Sequence, residues 1–302
     1  MKNRFLFSLI ILGSLALWRG AAAYELHQEE VLAAARVAHL NTPSLNLKDI
    51  VRQVDELGGN TQLNWKEVVA IVAVLQNNQV AALSPQYMKD VAECFLAGSP
   101  IAAFEEVAAS FLPLHSDRKL AHQYLKDLAF VGYVPQRLHP DAPEAQFIAK
   151  LTPLAKRNHS VTGILPSITI AQAILESSWG DSELAANSNN LFGIKADSRW
   201  DGTVATFKTR EYSGRYVDAK FREYGDWYES IEDHGEFLTS NARYAEAGLF
   251  EATTYRSQSL ALQAAGYSTV TDAEGNPIYA QRLQELIRQY NLQLLDVEVL
   301  RP

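Results

Sequence analysis

The sequence predicts a mainly helical α+β protein with two parts. Helical spacing of apolar residues continues to about residue 134 and returns after residue 144. One pair of segments with strict alternation interrupts the helices of the second part, which predicts a single β-hairpin. The 302 residues are enough for two domains that each bury a core. We therefore expect an all-helical domain over residues 24–140, followed by a helical domain with a small β lobe over residues 144–296.

Residues 1–23 differ in composition from the rest of the chain. Two basic residues precede an apolar run from Phe5 to Trp18, and three alanines follow at positions 21–23. This order is typical of a secretory signal peptide, so we expect cleavage before Tyr24 and export to the periplasm, the cell envelope or the medium. An uncleaved N-terminal anchor is the alternative, although the run is short for a bilayer span. We expect no stable transmembrane segment after cleavage.

The charge of the chain argues against nucleic acid as a partner. The net charge is −8, and removal of residues 1–23, which carry three basic residues and no acid, takes it to −11. So acidic a chain repels a polyanion. Cys94 is the only cysteine, so no internal disulfide can form. We interpret it as a small core residue.

The first domain is predicted to be helical, and the sequence does not show its role. Apolar residues recur at helical spacing, and Asn64 with Glu67 three residues later indicates a capping box at the start of one helix. We find no recognisable wall-binding repeat, so three roles stay open: docking of an unidentified protein partner, gating of a ligand cleft, or positioning of the protein at a membrane. The histidines are too scattered for a zinc site, and we expect no metal or cofactor. The predicted helices span Glu29–Leu40, Leu47–Leu57 and Trp65–Leu75.

A single acid, Glu176, ends the most apolar helix of the second domain. The stretch 166–185 reads PSITIAQAILESSWGDSELA, in which Pro166 suits a first helical turn and Gly180 a C-cap. Its apolar residues leave almost no polar face, so we expect a helix buried nearly all round. Burial disfavours a charged carboxylate, raises its pKa and suits it to act as a general acid. The alternative is that Glu176 faces a solvent groove or caps a neighbouring element.

The β-hairpin follows this helix. Residues 203–212 and 215–224 alternate, and Ser213-Gly214 between them suits a two-residue turn. Before the hairpin, the Asn-rich stretch AANSNNLFGIK carries amides that can bond turns or orient a carboxylate, so we expect it to brace Glu176. Asp226 and Glu229 then predict a helix start. Between the helices and the β lobe we expect a cleft for an extended ligand. Two further helices are predicted at Arg256–Ala265 and Ile278–Tyr290.

An ordered set of motifs in the second part closely resembles the glucosaminidase domain of glycoside hydrolase family 73, which includes bacterial autolysins. The resemblance covers about residues 144–295, roughly half of the chain, and the first domain lies outside it. The motifs are FIAKLTPLAKRNHSVTGILPSITIAQAILESSWGDSELA, NNLFGIK, TREY, AKFREYGDWYESIEDHGEFL, NARYAEA, LQAAGYST and YAQRLQELIRQY.

The resemblance implies a lysozyme-like fold and hydrolysis of the β-1,4 bond that follows N-acetylglucosamine in peptidoglycan glycan strands. Within the family the Glu of AQAILES is the general acid, here Glu176. The acid of the TREY motif, here Glu211, is the expected base that activates water. An inverting reaction would place the two carboxyls about 6.5 to 9.5 Å apart. The alternatives for the base are the acetamido group of the substrate, Glu223 or Asp226.

The resemblance also implies substrate-binding residues. Tyr244 in NARYAEA and Tyr267 in AGYST match aromatic residues that line the family's cleft. Trp179, beside the acid, is expected to stack on a sugar or to shield Glu176, and Asn190 is expected to contact the substrate. The stretch VTDAEGNPI is longer and more polar than the link typical of the family, so the far rim of the cleft is expected to differ.

Two other functions remain compatible with these motifs. One is a wall-binding or scaffold protein without turnover, although the retained Glu176 and Glu211 argue against it. The other is a muramidase or a lytic transglycosylase, which shares the fold and needs only one acid.

Overall fold

The computed structural model describes residues 39–98, 101–210 and 216–301. These residues are mostly helical and contain one two-stranded antiparallel sheet, so the predicted α+β, mainly α fold is confirmed. The predicted signal peptide, most of the helix predicted at residues 29–40, the hairpin turn and Glu211 lie outside the described residues. The chain divides into two compact units, Met1–Gly59 with Leu63–Val131 and Asn60–Gln62 with Gly132–Pro302.

The first unit is built around one apolar helix. Helix α2 is buried along almost its whole length, because its sequence WKEVVAIVAVL is apolar on every face, and α1, α3, α4 and α5 all contact it. Asn64 caps it by accepting a hydrogen bond from the Lys66 amide at 3.0 Å. After a short 3₁₀ helix at Thr42–Ser44, the helices are α1 Leu47–Gly58, α2 Trp65–Leu75, α3 Pro85–Leu96, α4 Phe104–Phe111 and α5 His115–Asp127.

Two details of this unit differ from the sequence prediction. Glu67 accepts a hydrogen bond from the Asn64 side chain at 3.0 Å, so this contact joins the two side chains. In the predicted capping box, the side chain of each residue would instead bind the backbone of the other. Cys94 is half-exposed, so the interpretation as a buried core residue is wrong, because it lies at the edge of the packed face of α3. Burial raises the pKa of its thiol.

The second unit holds the remaining helices and the sheet. Its elements are α6 Pro135–Leu138, α7 Pro143–Thr162, α8 Pro166–Ser177, α9 Glu183–Ser188, β1 Val204–Arg210, β2 Tyr216–Arg222, α10 Trp227–Ser240, α11 Ala242–Glu246, α12 Tyr255–Ala264, α13 Tyr279–Gln289 and α14 Gln293–Leu300. Helix α8 is the centre of this unit and contacts α7, α12, α13 and α14. All predicted helices from residue 144 onward are present.

The N-terminus of α8 is capped from a distant part of the chain. Leu165, at the N-cap position, has no side chain that can accept a hydrogen bond. Asp296 of α14 takes this role: its carboxylate accepts hydrogen bonds from the Ser167 amide at 2.9 Å and the Ser167 hydroxyl at 2.6 Å. Asp296 is fully buried, and burial raises the pKa of its carboxyl to about 7 against the opposing effect of the two hydrogen bonds.

The C-terminus of α8 ends in three left-handed residues. Ser178, Trp179 and Gly180 have φ values of 51°, 64° and 84°. The C-cap is therefore Ser178, and the prediction of Gly180 as the C-cap is wrong. Left-handed backbone is costly for residues with a Cβ, so the surrounding packing must hold this turn. Ser182 then caps α9 by accepting a hydrogen bond from the Ala185 amide.

The sheet is extended by a segment of the Asn-rich loop. Strand β1 pairs with β2 in antiparallel register from Val204↔Arg222 to Arg210↔Tyr216. On the other edge of β2, the Ala196 amide donates to the Lys220 carbonyl and the Arg222 amide donates to the Ile194 carbonyl, both at 3.0 Å. The base of β2 is thus paired on both sides.

Candidate active site

Glu176 lies at the open end of α8. The helix is buried from Pro166 to Ile174, and its last turn turns outward, so Glu176 itself is exposed to solvent. The expectation of burial all round is wrong for this last turn. Enough protein nevertheless surrounds the carboxyl for desolvation to raise its pKa. A carboxyl that is both reachable from solvent and crowded by protein suits proton donation to a bound ligand.

Tyr279 holds the carboxyl of Glu176. Its hydroxyl donates a hydrogen bond to Glu176 Oε1 at 2.9 Å, which lowers the pKa of the carboxyl against the larger effect of burial. The Tyr279 hydroxyl in turn accepts a hydrogen bond from Gln172 Nε2 at 3.0 Å. Both Tyr279 and Gln172 are buried.

Tyr279 and Gln172 were not among the site residues predicted from the sequence. Tyr279 is the first residue of α13 and lies 103 residues from Glu176, so spacing alone does not connect them. Gln172 did leave a signal, since it is a polar side chain one helical turn before the acid in an otherwise apolar stretch.

The structure brings Tyr267 and Tyr244 together but exposes them differently. The Tyr267 ring stacks on Tyr279 with centroids 5.4 Å apart and is half-buried, so part of its surface faces outward. Tyr244 has no exposed surface, and its hydroxyl accepts a hydrogen bond from Arg243 Nη2 at 2.6 Å. The Tyr244 ring lies 6.3 Å from Tyr267, behind it. Part of Tyr267 is therefore open to solvent, whereas Tyr244 is enclosed. A substrate-binding role for either residue stays a prediction.

Trp179 belongs to an aromatic cluster. Its ring makes edge contacts with Tyr290 at 4.8 Å and Phe147 at 5.6 Å, and Phe147 also contacts Trp227 at 5.3 Å. These contacts fix the left-handed turn that follows Glu176. Both roles predicted for Trp179, stacking on a sugar and shielding Glu176, stay predictions.

Asn190 braces the sheet. The side chain is buried; its Nδ2 donates to the Ile194 carbonyl at 3.0 Å and the Arg222 carbonyl at 2.8 Å, and its Oδ1 accepts from the Ile194 amide at 3.1 Å. The loop therefore braces the base of β2, whereas the sequence predicted that it would brace Glu176. Because both the nitrogen and the oxygen of its side-chain amide are hydrogen-bonded within the protein, Asn190 supports the β lobe.

The second acid cannot be placed, because Glu211 lies outside the described residues. Two other acids, Asp226 and Glu223, were named as alternatives for the base. Asp226 caps α10 by accepting a hydrogen bond from the Glu229 amide at 3.0 Å. Glu223 lines a cavity of about 510 Å³ together with Trp200, Tyr224 and other acids. Glu176 is not among the residues that line this cavity.

An ion pair joins β2 to α10, and a buried histidine of α10 follows it in the sequence. Arg222 Nη1 donates to both carboxylate oxygens of Asp233, at 2.6 and 2.9 Å, and the Tyr224 hydroxyl donates to Asp233 Oδ2 at 2.6 Å. His234 has no exposed surface and stacks on Phe192 with centroids 3.8 Å apart. Burial lowers the pKa of its imidazole to about 3, so this ring is neutral.

The described residues contain neither a cluster of metal ligands nor a membrane-spanning helix. Within residues 39–98, 101–210 and 216–301 no three His, Cys, Asp or Glu side chains are grouped as metal ligands. Across the same ranges, no helix combines the length and the hydropathy that a membrane crossing requires.

Comparison with known proteins matches the second unit to one family. The family profile described as mannosyl-glycoprotein endo-beta-N-acetylglucosaminidase matches residues 152–292. The exo-glucosaminidase LytG of Bacillus subtilis is 38% identical over 154 residues, which are 50% of this chain and 52% of LytG. The peptidoglycan hydrolase FlgJ of Salmonella typhimurium is 27% identical over 277 residues, 82% of this chain and 85% of FlgJ. The chain thus spans about half the length of LytG.

Two solved structures resemble the same part of the chain. The catalytic domain of the autolysin Auto from Listeria monocytogenes is 35% identical, covers 50% of this chain and 85% of its own, and has a TM-score of 0.43. The glycoside hydrolase domain of Salmonella typhimurium FlgJ is 34% identical, with coverages of 51% and 91% and a TM-score of 0.41.

The family profile and the two sequence relatives place residues 152–292 among glycoside hydrolase domains, in a unit whose central buried helix ends in an acid. Within that class, residues 152–292 match the glucosaminidase family, glycoside hydrolase family 73. The family resemblance read from the motifs is thereby confirmed.

Proposed function

We propose that this protein is an exported peptidoglycan hydrolase, an endo-β-N-acetylglucosaminidase that uses Glu176 as its general acid. The observation that carries the proposal is the Glu176 carboxyl, which solvent reaches although its pKa is raised by the surrounding protein. Peptidoglycan as the substrate is supported by the likeness to FlgJ, a peptidoglycan hydrolase, and glucosaminidase activity by the likeness to LytG, an exo-glucosaminidase.

In the proposed reaction Glu176 gives its proton to the glycosidic oxygen as the bond to the anomeric carbon breaks. Water supplies the hydroxyl group that bonds to the anomeric carbon, and the proton that it gives up passes to the base and then, by exchange with solvent, back to Glu176. Glu211 is the proposed base for that water, and the acetamido oxygen of the substrate is the alternative nucleophile in a first step. Tyr267 is the proposed sugar platform, with Tyr244 behind it.

The first prediction concerns Glu176→Gln. This change removes the proton donor with almost no change in volume, so release of soluble fragments from purified peptidoglycan should fall by roughly 10²- to 10⁴-fold. The far-UV circular dichroism spectrum and the midpoint of thermal unfolding of the variant should match those of the wild type within error. Fragment release close to the wild-type rate would rule out Glu176 as the acid.

The chemical ends of the products separate the candidate functions. Mass spectrometry should find reducing N-acetylglucosamine ends on fragments of mixed length. Reducing muramic ends would indicate a muramidase, a function supported by the probable N-acetylmuramidase of Lactococcus lactis, 38% identical over 159 residues. Anhydro-muramic ends would indicate a lytic transglycosylase, and small products from chain ends alone an exo-acting enzyme. Binding without any release would indicate the wall-binding alternative.

We further propose that residues 1–23 direct export to the cell envelope or beyond it, and that residues 24–140 form a separate domain that docks an unidentified partner. The predicted signal order of charge, apolar run and small residues supports the first point. The compact unit that contains α1 to α5 supports the second.

A further inference from the structure

The hydroxyl of Tyr279 joins two positions of the same helix. Gln172 and Glu176 are four residues apart on α8, so their side chains project from the same face, one turn apart. The Tyr279 hydroxyl lies between them, 3.0 Å from Gln172 Nε2 and 2.9 Å from Glu176 Oε1. A single group from α13 thus bridges the last two turns of α8.

The direction of these two hydrogen bonds is determined by the donors. An amide nitrogen can only donate, so Gln172 Nε2 occupies the lone pair of the Tyr279 oxygen. The single hydroxyl hydrogen of Tyr279 is then left for Glu176 Oε1. In the acid form of a carboxyl the carbonyl oxygen is the stronger acceptor, so this hydrogen bond favours Oε1 as the carbonyl oxygen. The acidic proton is thereby favoured on Oε2, for which the described residues show no hydrogen bond.

Tyr279 cannot turn away easily. Its side chain is 1% exposed, and its ring stacks on Tyr267 with an interplanar angle of 21°. The next residue, Ala280, donates its amide to Gln263 Oε1 at 3.0 Å, which fixes the start of α13. Glu176, in contrast, is exposed in the final helical turn, where a long side chain has several rotamers available. The rigid partner therefore constrains the mobile one.

We propose that Tyr279, oriented by Gln172, is a positioning residue that fixes the Glu176 carboxyl and directs its proton through Oε2 toward the ligand. The proposal rests on the proposed function of Glu176 as the acid. It adds that the direction of proton delivery is set by two buried residues that do not reach the substrate.

The groups that influence the ionisation of Glu176 are few. Tyr279 from α13 acts through the hydrogen bond, and Tyr267, which follows α12, faces the carboxyl with a hydroxyl whose own pKa is raised by burial. Further groups interact electrostatically with Tyr267 and so influence Glu176 only indirectly. They are Tyr244, Tyr224 and Arg243.

The test is Tyr279→Phe in the full chain, which removes the hydroxyl and keeps the ring. The turnover number on soluble, uncrosslinked glycan strands should fall by about 10-fold or more, yet by less than the 10²- to 10⁴-fold expected for loss of the acid. KM should stay within about twofold, because the residue does not touch the substrate. The alkaline limb of the pH profile should move to higher pH, because the carboxylate loses its donor.

A measurement without turnover separates this proposal from the proposed function. Carbon-13 labelled glutamate allows the Glu176 carboxyl to be titrated by NMR, with Glu176→Gln to assign the signal. Tyr279→Phe should raise the pKa of Glu176. The matched control is Tyr255→Phe, which removes another fully buried hydroxyl, one that accepts from Arg288 Nε at 2.9 Å, and should leave the titration unchanged.

Gln172→Met provides a second variant that leaves Tyr279 in place. It removes the amide donor with little change in volume, so the hydroxyl loses its orientation and the pKa of Glu176 should rise by less than in Tyr279→Phe. If Tyr279→Phe does not fold, this variant decides. An unchanged titration and an unchanged pH profile in the folded variants would overturn the positioning role. A shifted titration in a protein that releases nothing from peptidoglycan would support the positioning role and overturn the proposed function.

Discussion

Three consecutive left-handed residues follow the acid-bearing helix, and each is held there for a different reason. Ser178 ends α8, Trp179 is fixed by its aromatic contacts, and Gly180 lies against the Trp227 ring. A Cβ at Gly180 would lie 2.9 Å from Trp227 Cζ2 and 3.2 Å from Phe147 Cε2. At this position glycine is required by its φ of 84° and by space.

Gly180→Ala should therefore destabilise the second unit by more than the conformational cost of a left-handed alanine, which is about 1 to 2 kcal/mol. Overlap with the two rings should add roughly 1 to 3 kcal/mol. Urea denaturation followed by circular dichroism measures the change in unfolding free energy.

Gly248→Ala is the matched control for this substitution. Gly248 has a φ of 77° in the same unit, and a Cβ there meets nothing within 4 Å. Its variant should show the conformational cost alone. Equal losses in the two variants would mean that the aromatic cluster does not press on the turn.

Single residues also show where sequence reasoning stops. Glu176 was predictable because an acid at the end of an apolar helix is conspicuous, and the family motif contains it. Its exposure was not predictable, since helical periodicity does not tell where a helix emerges from the core. Tyr279 depends on a contact across 103 positions, and no spacing rule reaches that far. Asn190 was identified as a loop amide, but its partners on β2 follow from the fold alone.

At the scale of elements, α8 depends on α14. Asp296 lies beyond residue 292, where the family match stops, and yet it supplies the cap that Leu165 cannot give. A carboxylate near a helix N-terminus is favoured by the helix dipole. Burial works in the opposite direction and raises the pKa of Asp296 to about 7, compared with 3.8 for an unperturbed group.

This raised pKa predicts how stability depends on pH. The folded state binds a proton at Asp296 more tightly than the unfolded state does, so the stabilisation is complete below about pH 4 and is lost as the pH rises towards 7. Each unit of pKa difference is worth about 1.4 kcal/mol, so the loss amounts to a few kcal/mol. Denaturant unfolding at a series of pH values measures it.

Asp296→Asn isolates this contribution. The amide can accept from the Ser167 backbone and donate to the Ser167 hydroxyl, and it does not titrate. The variant should therefore become more stable than the wild type above pH 7 and lose that advantage towards pH 4. Other titrating groups cancel in the difference between the two proteins. A difference that stays constant from pH 4 to pH 8 would show that Asp296 keeps its ordinary pKa.

Elements were the most predictable level of this structure. The helix at Leu47 begins where apolar spacing indicated, and those at Trp65 and Pro166 begin where a cap and a proline indicated; both strands have the expected alternation. Helix α14 was missed, because the last helix predicted from apolar spacing ended at Tyr290 and no element was predicted after it. Residues 291 and 292 separate the two, with Asn291 in a left-handed conformation at φ 54°.

At the scale of the whole molecule, the chain consists of two units with separate cores. The core of the second unit is one cluster whose members all lie between Phe147 and Leu292. The first unit has its own core around α2. The order of the two parts was predictable from periodicity, and the family match indicates what the second part does. The role of the first part was not predictable, since a set of packed helices carries no chemistry in its pattern.

The separate cores predict that a fragment from Gly132 to Pro302 folds alone. It should show one cooperative thermal transition by circular dichroism, because its apolar cluster is complete without α1 to α5. On purified peptidoglycan it should release the same kinds of fragment ends as the full chain.

The same fragment carrying Glu176→Gln is the control and should release none. A fragment that melts gradually, or that releases nothing although it is folded, would mean that the first unit is needed for the structure or for the reaction of the second.

Strand β2 is hydrogen-bonded along both of its edges near its base, to β1 on one side and to residues 194–196 on the other. Within the described residues, the loop thus covers the second edge of β2 at residues 220–222, whereas the outer edge of β1 has no strand beside it. Open strand edges are templates for self-association, and a lysine on such an edge opposes it. Lys208 is exposed on β1. The loop that Asn190 holds in place thus has a second effect: it removes the base of β2 from the strand edge on which two copies of this enzyme can join.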